Sequence, residues 1–354
     1  MITATHPRSA TAVDVVELLT AMLAVPSVSG NEGLLAEMLV TRLDAAGFDA
    51  ELDDAGNVIA GWGSGPETLA LVGHLDTVAG HIDVRRDGGM LHGRGAVDAK
   101  GPLSAAIAAV SRQPRDAGRR FVVVGAVEEE STSRGARFLA TSMQAPEGLI
   151  ILEPSGWDAV TIGYKGSLRM HMAVSQPQTH GAGRAPSASD RCVDLVRVLQ
   201  DFANATNGEA GVFDRIDMRV LRLHSETDGL VDTAEVDIGI RTPPVCDIDA
   251  LVGLARSHTG VAVTVSGGDP GVRTDRNSRL ARACIRAIRD AGGAPRFKVK
   301  TGTSDMNILV PAWGCPALAY GPGDATLDHT PHECVSVAEL ERAVDVLDVA
   351  LRET

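Results

Sequence analysis

The sequence predicts a layered α/β protein interrupted by a smaller α+β insertion, and three observations carry that reading. Over the first 160 residues, short apolar runs alternate with helix-like repeats. Between 163 and 270 the texture changes to the alternation of half-exposed strands. The layered pattern then resumes to the C-terminus. Alternating strand and helix signals indicate helices packed on a sheet, and the middle stretch is long enough for a domain of its own. The expected organisation is therefore an outer domain, 1–162 with 271–354, and an inserted domain, 163–270.

The elements follow in order. Val13–Ala24 repeats apolar residues at i, i+3 and i+4, which makes it the opening helix. Thr68–Gly73, Phe121–Val127 and Leu149–Leu152 are short apolar runs that read as buried strands, with helical stretches at Pro102–Ser111 and Arg134–Ser142. Inside the insertion, Gly166–Val174 and Val231–Arg241 alternate as half-exposed strands do, and Ser189–Ala203 is helical. Beyond it lie helices at Asn277–Asp290 and Val337–Leu351 and an apolar segment at Pro316–Tyr320.

Composition narrows the function. With 44% hydrophobic and 22% charged residues among 354, disorder and rod-like repeats are excluded. The net charge of −13 disfavours non-specific binding to nucleic acid or anionic lipid. No run approaches about 18 apolar residues, and Met1–Gly30 has no basic start followed by an apolar core, so a soluble, unexported chain is expected. Five scattered cysteines without a C-x-x-C pair suit a reducing cytoplasm.

Polar side chains gather where the apolar runs end, at Gly73-His74-Leu75-Asp76, Glu128-Glu129-Glu130 and Glu153-Pro154. Open α/β sheets bind ligands beyond the carboxyl ends of their strands, so these clusters are placed to converge. At a strand end, residues i and i+2 share a side. A carboxylate at Asp76 can then fix the tautomer of His74 while the other ring nitrogen meets a metal; the plain alternative is a satisfied surface pair. Gly93-Arg94-Gly95 and Asp98-Ala99-Lys100-Gly101 precede a helical stretch. Asp98 is either a helix N-cap or a ligand held among permissive glycines. Three successive glutamates repel one another unless a cation sits among them, or else they form an exposed acidic turn. Asp328-His329-Thr330-Pro331-His332-Glu333 adds two imidazoles ahead of the last helix. These are either zinc ligands or capping and packing groups.

Taken together, the His74 and Asp98 motifs, the paired glutamates, Glu153-Pro154 and His329 resemble the di-zinc amidohydrolase and peptidase family. Its members include aminoacylases, carboxypeptidase G-type enzymes, acetylornithine deacetylase and succinyl-diaminopimelate desuccinylase. The resemblance spans almost the whole chain. It implies a catalytic domain with a central mixed sheet, interrupted by a lid and dimerisation domain, and a homodimer formed through that lid. It implies His74, Asp98 and Glu153 on one zinc and Asp98, Glu130 and His329 on the other, with cobalt as an alternative metal. It also implies that Asp76 orients His74, that Glu129 is the general base, and that the Asp98–Ala99 peptide bond is cis. A register one residue earlier makes Glu128 the base and Glu129 the ligand. His180, in Gln178-Thr179-His180-Gly181, resembles a lid histidine that donates to the oxyanion across the dimer. Arg241 resembles a lid arginine that holds a substrate carboxylate, beside a loop containing Thr303 and Ser304. The structural alternatives are that Arg241 pairs with a nearby acid and that the loop caps the following helix.

Within the family, Val124–Glu130 and Lys300–Asn307 look most like the hydrolases that release lysine or ornithine from an amino-group carrier protein. Those enzymes cleave the amide between a glutamate side-chain carboxyl of the carrier and the amino acid's α-amino group, in lysine and arginine biosynthesis. N-acetylornithine deacetylase and succinyl-diaminopimelate desuccinylase activities are the alternatives; a non-catalytic, metal-stabilised binding module is the alternative of another class. The implied carrier is acidic, yet the insertion holds 10 basic against 14 acidic side chains. Repulsion then slows encounter unless arginines cluster at the mouth. Only Lys100, Lys165, Lys298 and Lys300 are lysines, against 29 arginines. An ammonium is more compact than a guanidinium fork, so Lys100, Lys165 and Lys300 are expected to serve the site, Lys165 by binding substrate.

Overall fold

The computed structural model describes residues 12–116 and 118–354; part of Met1–Gly30, read above as carrying no leader, lies outside them. Two compact units are present. One is formed by the chain up to Ile162 with Thr274–Lys298 and Ile308–Thr354, the other by Gly163–Arg273 with Val299–Asn307.

The first unit is built on a mixed sheet. Its strands lie in the order Asp49–Leu52, Val58–Gly63, Arg119–Ala126, Glu67–His74, Gly148–Ile151, Ala317–Ala319 and Ala159–Tyr164. Glu67–His74 runs parallel to both its neighbours, whereas Val58–Gly63 and Ala159–Tyr164 run antiparallel to theirs. The three central strands are buried over nearly their whole length, as strands covered on both faces are. His74 stands opposite Ala126, and Val72 opposite Ile151. The carboxyl ends of all three strands therefore share one edge, and the residues that follow them are brought together.

Helix Lys100–Ser111 is buried at every residue, which its small side chains allow. Its close approach to the preceding loop depends on Gly101, where a Cβ would sit 2.2 Å from the Ala96 carbonyl oxygen. Helices Val15–Leu23 and Val337–Glu353 pack against it, and Leu18, Leu19, Met22, Leu103, Leu340 and Val344 join one core. A small antiparallel sheet, Arg85–Asp87, Met90–His92 and Cys334–Ser336, places Cys334 opposite His92. It fastens the chain just before the Asp98 loop to the chain just after the His329 loop.

The second unit is a four-stranded antiparallel sheet in the order Asp217–Thr227, Val231–Thr242, Gly166–Pro177 and Ala262–Asp269. Alternate residues Leu168, Met170, Met172, Val236, Ile238 and Ile240 are buried in a core with helices Ala188–Asn207 and Ile248–Ser257. A capping box between Ser187 and Asp190 starts the longer helix. Val299–Asn307 joins this unit because the Asn307 side-chain amide donates to the carbonyls of Lys165 (3.0 Å) and Pro270 (2.7 Å). Among the described residues, no helix is long and apolar enough to cross a membrane.

Candidate active site

His74 ends its strand almost fully buried, and its two ring nitrogens have different tasks. Nδ1 lies 2.9 Å from the Asp76 carbonyl oxygen and 3.4 Å from the Asp76 carboxylate. Nε2 faces Asp98 Oδ1 at 3.2 Å and Glu153 Oε1 at 3.8 Å. A donor bond from Nδ1–H leaves Nε2 with its lone pair directed at the acids, the arrangement a ligating imidazole needs. The Asp76 backbone carbonyl makes the shorter of the two Nδ1 contacts. Its carboxylate, fully buried, accepts from Ser29 Oγ (2.7 Å) and from the backbone N–H groups of Glu129 and Glu130 (3.0 Å each). Asp76 thus joins the histidine to the turn that carries the glutamates.

Asp98 does not cap the helix that follows; the N-cap position is Ala99, and the peptide bond between the two residues is cis. The two Asp98 oxygens face different imidazoles, Oδ1 toward His74 and Oδ2 toward His329 Nε2 at 3.1 Å. Glu130 Oε1 reaches the same His329 nitrogen at 2.8 Å. Three groups of donor atoms result, each with all atoms within 4.8 Å of one another: His74, Asp98 and Glu153; Asp98, Glu130 and His329; and His74, Glu129 and Glu130. Imidazole nitrogen with carboxylate oxygen is a donor set suited to zinc and similar divalent ions, so the residues present fit two cations that share Asp98. Glu128 is turned elsewhere, with φ +60° and its carboxylate held by Thr132 Oγ1 (2.5 Å) and Arg134 Nε (2.7 Å). His332 is exposed and belongs to none of the three groups.

So many acids in one place favour positive charge beside them, and the pKa shifts run in that direction. Burial opposes a charged His74, but hydrogen bonds to Asp76 and Asp98, with Glu129 nearby, raise its pKa well above the ordinary imidazole value. His329 is raised to about 9, first by its bond to Asp98. Burial, then the charge of Asp98, pushes Glu130 up to about 7 against the pull of both histidines. Burial would raise the Asp98 carboxyl, yet its bonds to His329 and His74 hold it well below the usual carboxylate range. Protonated imidazoles are one way to balance this cluster; bound cations are the other.

The inserted unit holds the remaining residues. His180 lies in an exposed turn, its Nδ1 accepting from the Ala182 N–H at 3.1 Å. Arg241 donates to Thr303 Oγ1 at 3.2 Å, and its pKa is lowered by burial and then by the charge of Arg169. No acid is bonded to it among the contacts described. Ser304 serves the loop itself: its N–H donates to Asn307 Oδ1 (2.9 Å), and its hydroxyl accepts from the Met306 N–H (3.3 Å).

Lys165 is not placed to bind substrate. It is fully buried, and its ammonium donates to the Arg215 carbonyl (2.7 Å) and to Asp217 (2.5 Å). Lys100 donates to the carbonyls of Met22 (3.1 Å) and Val25 (3.0 Å), with its pKa lowered to about 8 by burial, and Lys298 donates to the Ser155 carbonyl. Lys300 lies over the Tyr164 ring at 5.7 Å. Three of the four ammonium groups thus donate to backbone carbonyls within the fold. The sequence reading missed Ser29, Glu32 and Glu333. Glu32 accepts from the N–H groups of Gly30 (2.8 Å) and Glu128 (3.1 Å). The only signal for any of them was that Glu333 closes the histidine motif.

Two triads that share one carboxylate, at the carboxyl edge of a mixed sheet, form a donor set consistent with the dinuclear site of a metal-dependent hydrolase. A family model for peptidase family M20/M25/M40 matches residues 70–353, and the chain belongs to that family. It is 46% identical to the LysW-lysine hydrolase of Deinococcus radiodurans over 95% of each chain. To the LysW-lysine/LysW-ornithine hydrolase of Sulfurisphaera tokodaii it is 29% identical, over 95% of this chain and 94% of that one. Among solved structures, a tripeptidase from Staphylococcus aureus superposes with a TM-score of 0.78 over 97% of this chain and all of its own, at 18% identity, a likeness of fold.

Proposed function

We propose that this protein hydrolyses the amide between a glutamate side-chain carboxyl of an amino-group carrier protein and the α-amino group of lysine or ornithine, with two zinc ions for which cobalt can substitute. The observation that carries the reading is the pair of triads sharing Asp98 in a chain 46% identical, nearly end to end, to a LysW-lysine hydrolase. When bound, the two ions supply Lewis-acid activation of the scissile carbonyl and of the attacking water.

The chain's own residues do the rest. His74, Asp98 and Glu153 would hold one ion and Asp98, Glu130 and His329 the other. Glu129 accepts a proton from the water and passes it to the departing amine, so that amide and water become carboxylate and free amino acid. Asp76 keeps Nδ1 of His74 protonated and, through the two amides it accepts, fixes the turn from which Glu129 acts. His180 is the proposed donor to the oxyanion. Arg241, with Thr303 beside it, is the proposed partner of the free α-carboxylate of the amino acid. Arg169, paired in the sheet opposite Gly239, lies close enough to Arg241 for its charge to lower the Arg241 pKa, and such a pair would favour approach of an anionic group. All five cysteines are free thiols, which suits the cytoplasm where this biosynthesis belongs.

The test is to offer carrier-linked lysine, carrier-linked ornithine, N-acetylornithine and succinyl-diaminopimelate side by side. The reading predicts the highest kcat/KM on a carrier-linked amide; preference for either small acyl substrate rejects it. We also propose a homodimer formed through the inserted unit. Its edge strand Asp217–Thr227 leaves Leu221 and Leu223 50% and 58% exposed between charged neighbours such as Arg222 and Glu226, and an exposed strand edge is a pairing surface. Light scattering is expected to give a dimer that Leu221→Asp with Leu223→Asp converts to monomer. A monomeric native protein removes the proposal.

A further inference from the structure

We infer that Glu333 is a positioning residue that sets the spacing between the Asp98 and His329 ligands, an inference that rests on the two-metal reading above. Its side chain is 1% exposed. One oxygen, Oε1, accepts three backbone N–H groups, from Gly95 (3.0 Å), Val97 (2.9 Å) and Asp98 (3.1 Å). The other, Oε2, accepts from Arg94 Nη1 at 2.8 Å. The same Arg94 nitrogen donates to the Thr330 carbonyl at 3.1 Å, and Arg94 Nε donates to the Gly80 carbonyl at 3.2 Å. The Glu333 carbonyl takes the Gly93 N–H at 3.4 Å.

Glu333 thus belongs to one ligand loop by covalent chain and to the other by hydrogen bonds. It follows His329 by four residues, and its carboxylate grips the loop that carries Asp98, including the N–H of Asp98 itself. Several successive amides aimed at one point form an anion-binding concavity. Gly95, at φ +90°, allows the backbone to present them; a Cβ there would press on Thr77 and Lys100 at 2.9 and 3.0 Å. A buried carboxylate has the charge and the acceptor capacity to satisfy that concavity and Arg94 together.

The consequence concerns ligand geometry. Asp98 must keep Oδ1 near His74 (3.2 Å) and Oδ2 near His329 (3.1 Å) at the same time. A shift of its loop by a fraction of an ångström therefore disturbs one or both of these distances. Glu333 ties that loop to the base of the His329 loop, beside the Cys334–His92 strand pairing and the Arg94 bond to the Thr330 carbonyl, and its carboxylate is the group that grips the Asp98 N–H itself. Loss of a group that orients a metal ligand weakens metal binding by roughly 10- to 100-fold.

The experiment is zinc titration of the full-length protein by chelator competition, with the visible spectrum of the cobalt-loaded form as a second readout. Glu333→Ala is expected to weaken at least one zinc ion by roughly 10- to 100-fold and to alter the cobalt bands. Glu333→Gln keeps one carbonyl oxygen for the amides but sets an NH2 group against Arg94, so its effect is expected to fall between wild type and Ala. A wild-type protein that binds fewer than two ions contradicts the two-metal reading itself. If the wild type binds two and a folded variant keeps the same affinities and spectrum, losing only thermal stability, the positioning role is overturned. It is also overturned if neither variant folds, because Glu333 then serves the fold as a whole.

Discussion

Glu129→Ala is expected to lower kcat on the carrier-linked amide by roughly a hundred- to ten-thousand-fold, the range for a positioned general base, while both metal ions stay bound. The split follows from the placement of the side chain. Glu129 groups with His74 and Glu130, but the two triads that share Asp98 are complete without it. The turn that carries it is pinned through backbone groups, its own N–H and that of Glu130, by Asp76 at 3.0 Å. Truncating the side chain leaves those bonds in place. Glu128 is poorly placed to substitute, because Thr132 and Arg134 hold its carboxylate. Metal content by elemental analysis and kcat on the same preparation decide the matter. Loss of a metal ion on substitution would move the base to Glu128 and make Glu129 the ligand.

The second large effect is expected at Asp98. Asp98→Ala removes the oxygens that face His74 and His329, so both ions should be weakened together, each by more than the roughly 100-fold upper value for a group that only orients a ligand. Turnover falls with them. Replacing Glu153 or Glu130, by contrast, should weaken one ion chiefly, since each belongs to only one of the two triads containing Asp98. Zinc titrations of the three variants are the check. Equal effects from Glu153→Ala and Asp98→Ala would deny Asp98 its shared role.

Much of this was legible in the sequence because the chemistry sits at strand ends. Apolar runs locate Glu67–His74, Arg119–Ala126 and Gly148–Ile151 to within about two residues, and the polar groups after each run fall along one edge because the strands are parallel neighbours. The helix Arg134–Ser142 and the capped helix after Ser187 were legible for the same reason of period. Asp217–Thr227 was not, since a strand with nearly all of its side chains exposed carries no alternation of burial. Nor were the roles of Asp76, Glu32 and Glu333 toward the loops. Each acts by accepting backbone N–H groups, and those amides converge only after the loops have folded, so residue type and spacing say nothing of them. The ammonium groups of Lys100, Lys165 and Lys298 secure carbonyl oxygens inside the fold.

The central claim is that residues distant in the chain assemble two cation sites around one shared carboxylate. Anomalous diffraction at the zinc edge from crystals grown with excess zinc tests it most directly. The account predicts two peaks, one bounded by His74, Asp98 and Glu153 and the other by Asp98, Glu130 and His329. A single peak, or two peaks with Asp98 touching only one of them, would contradict it.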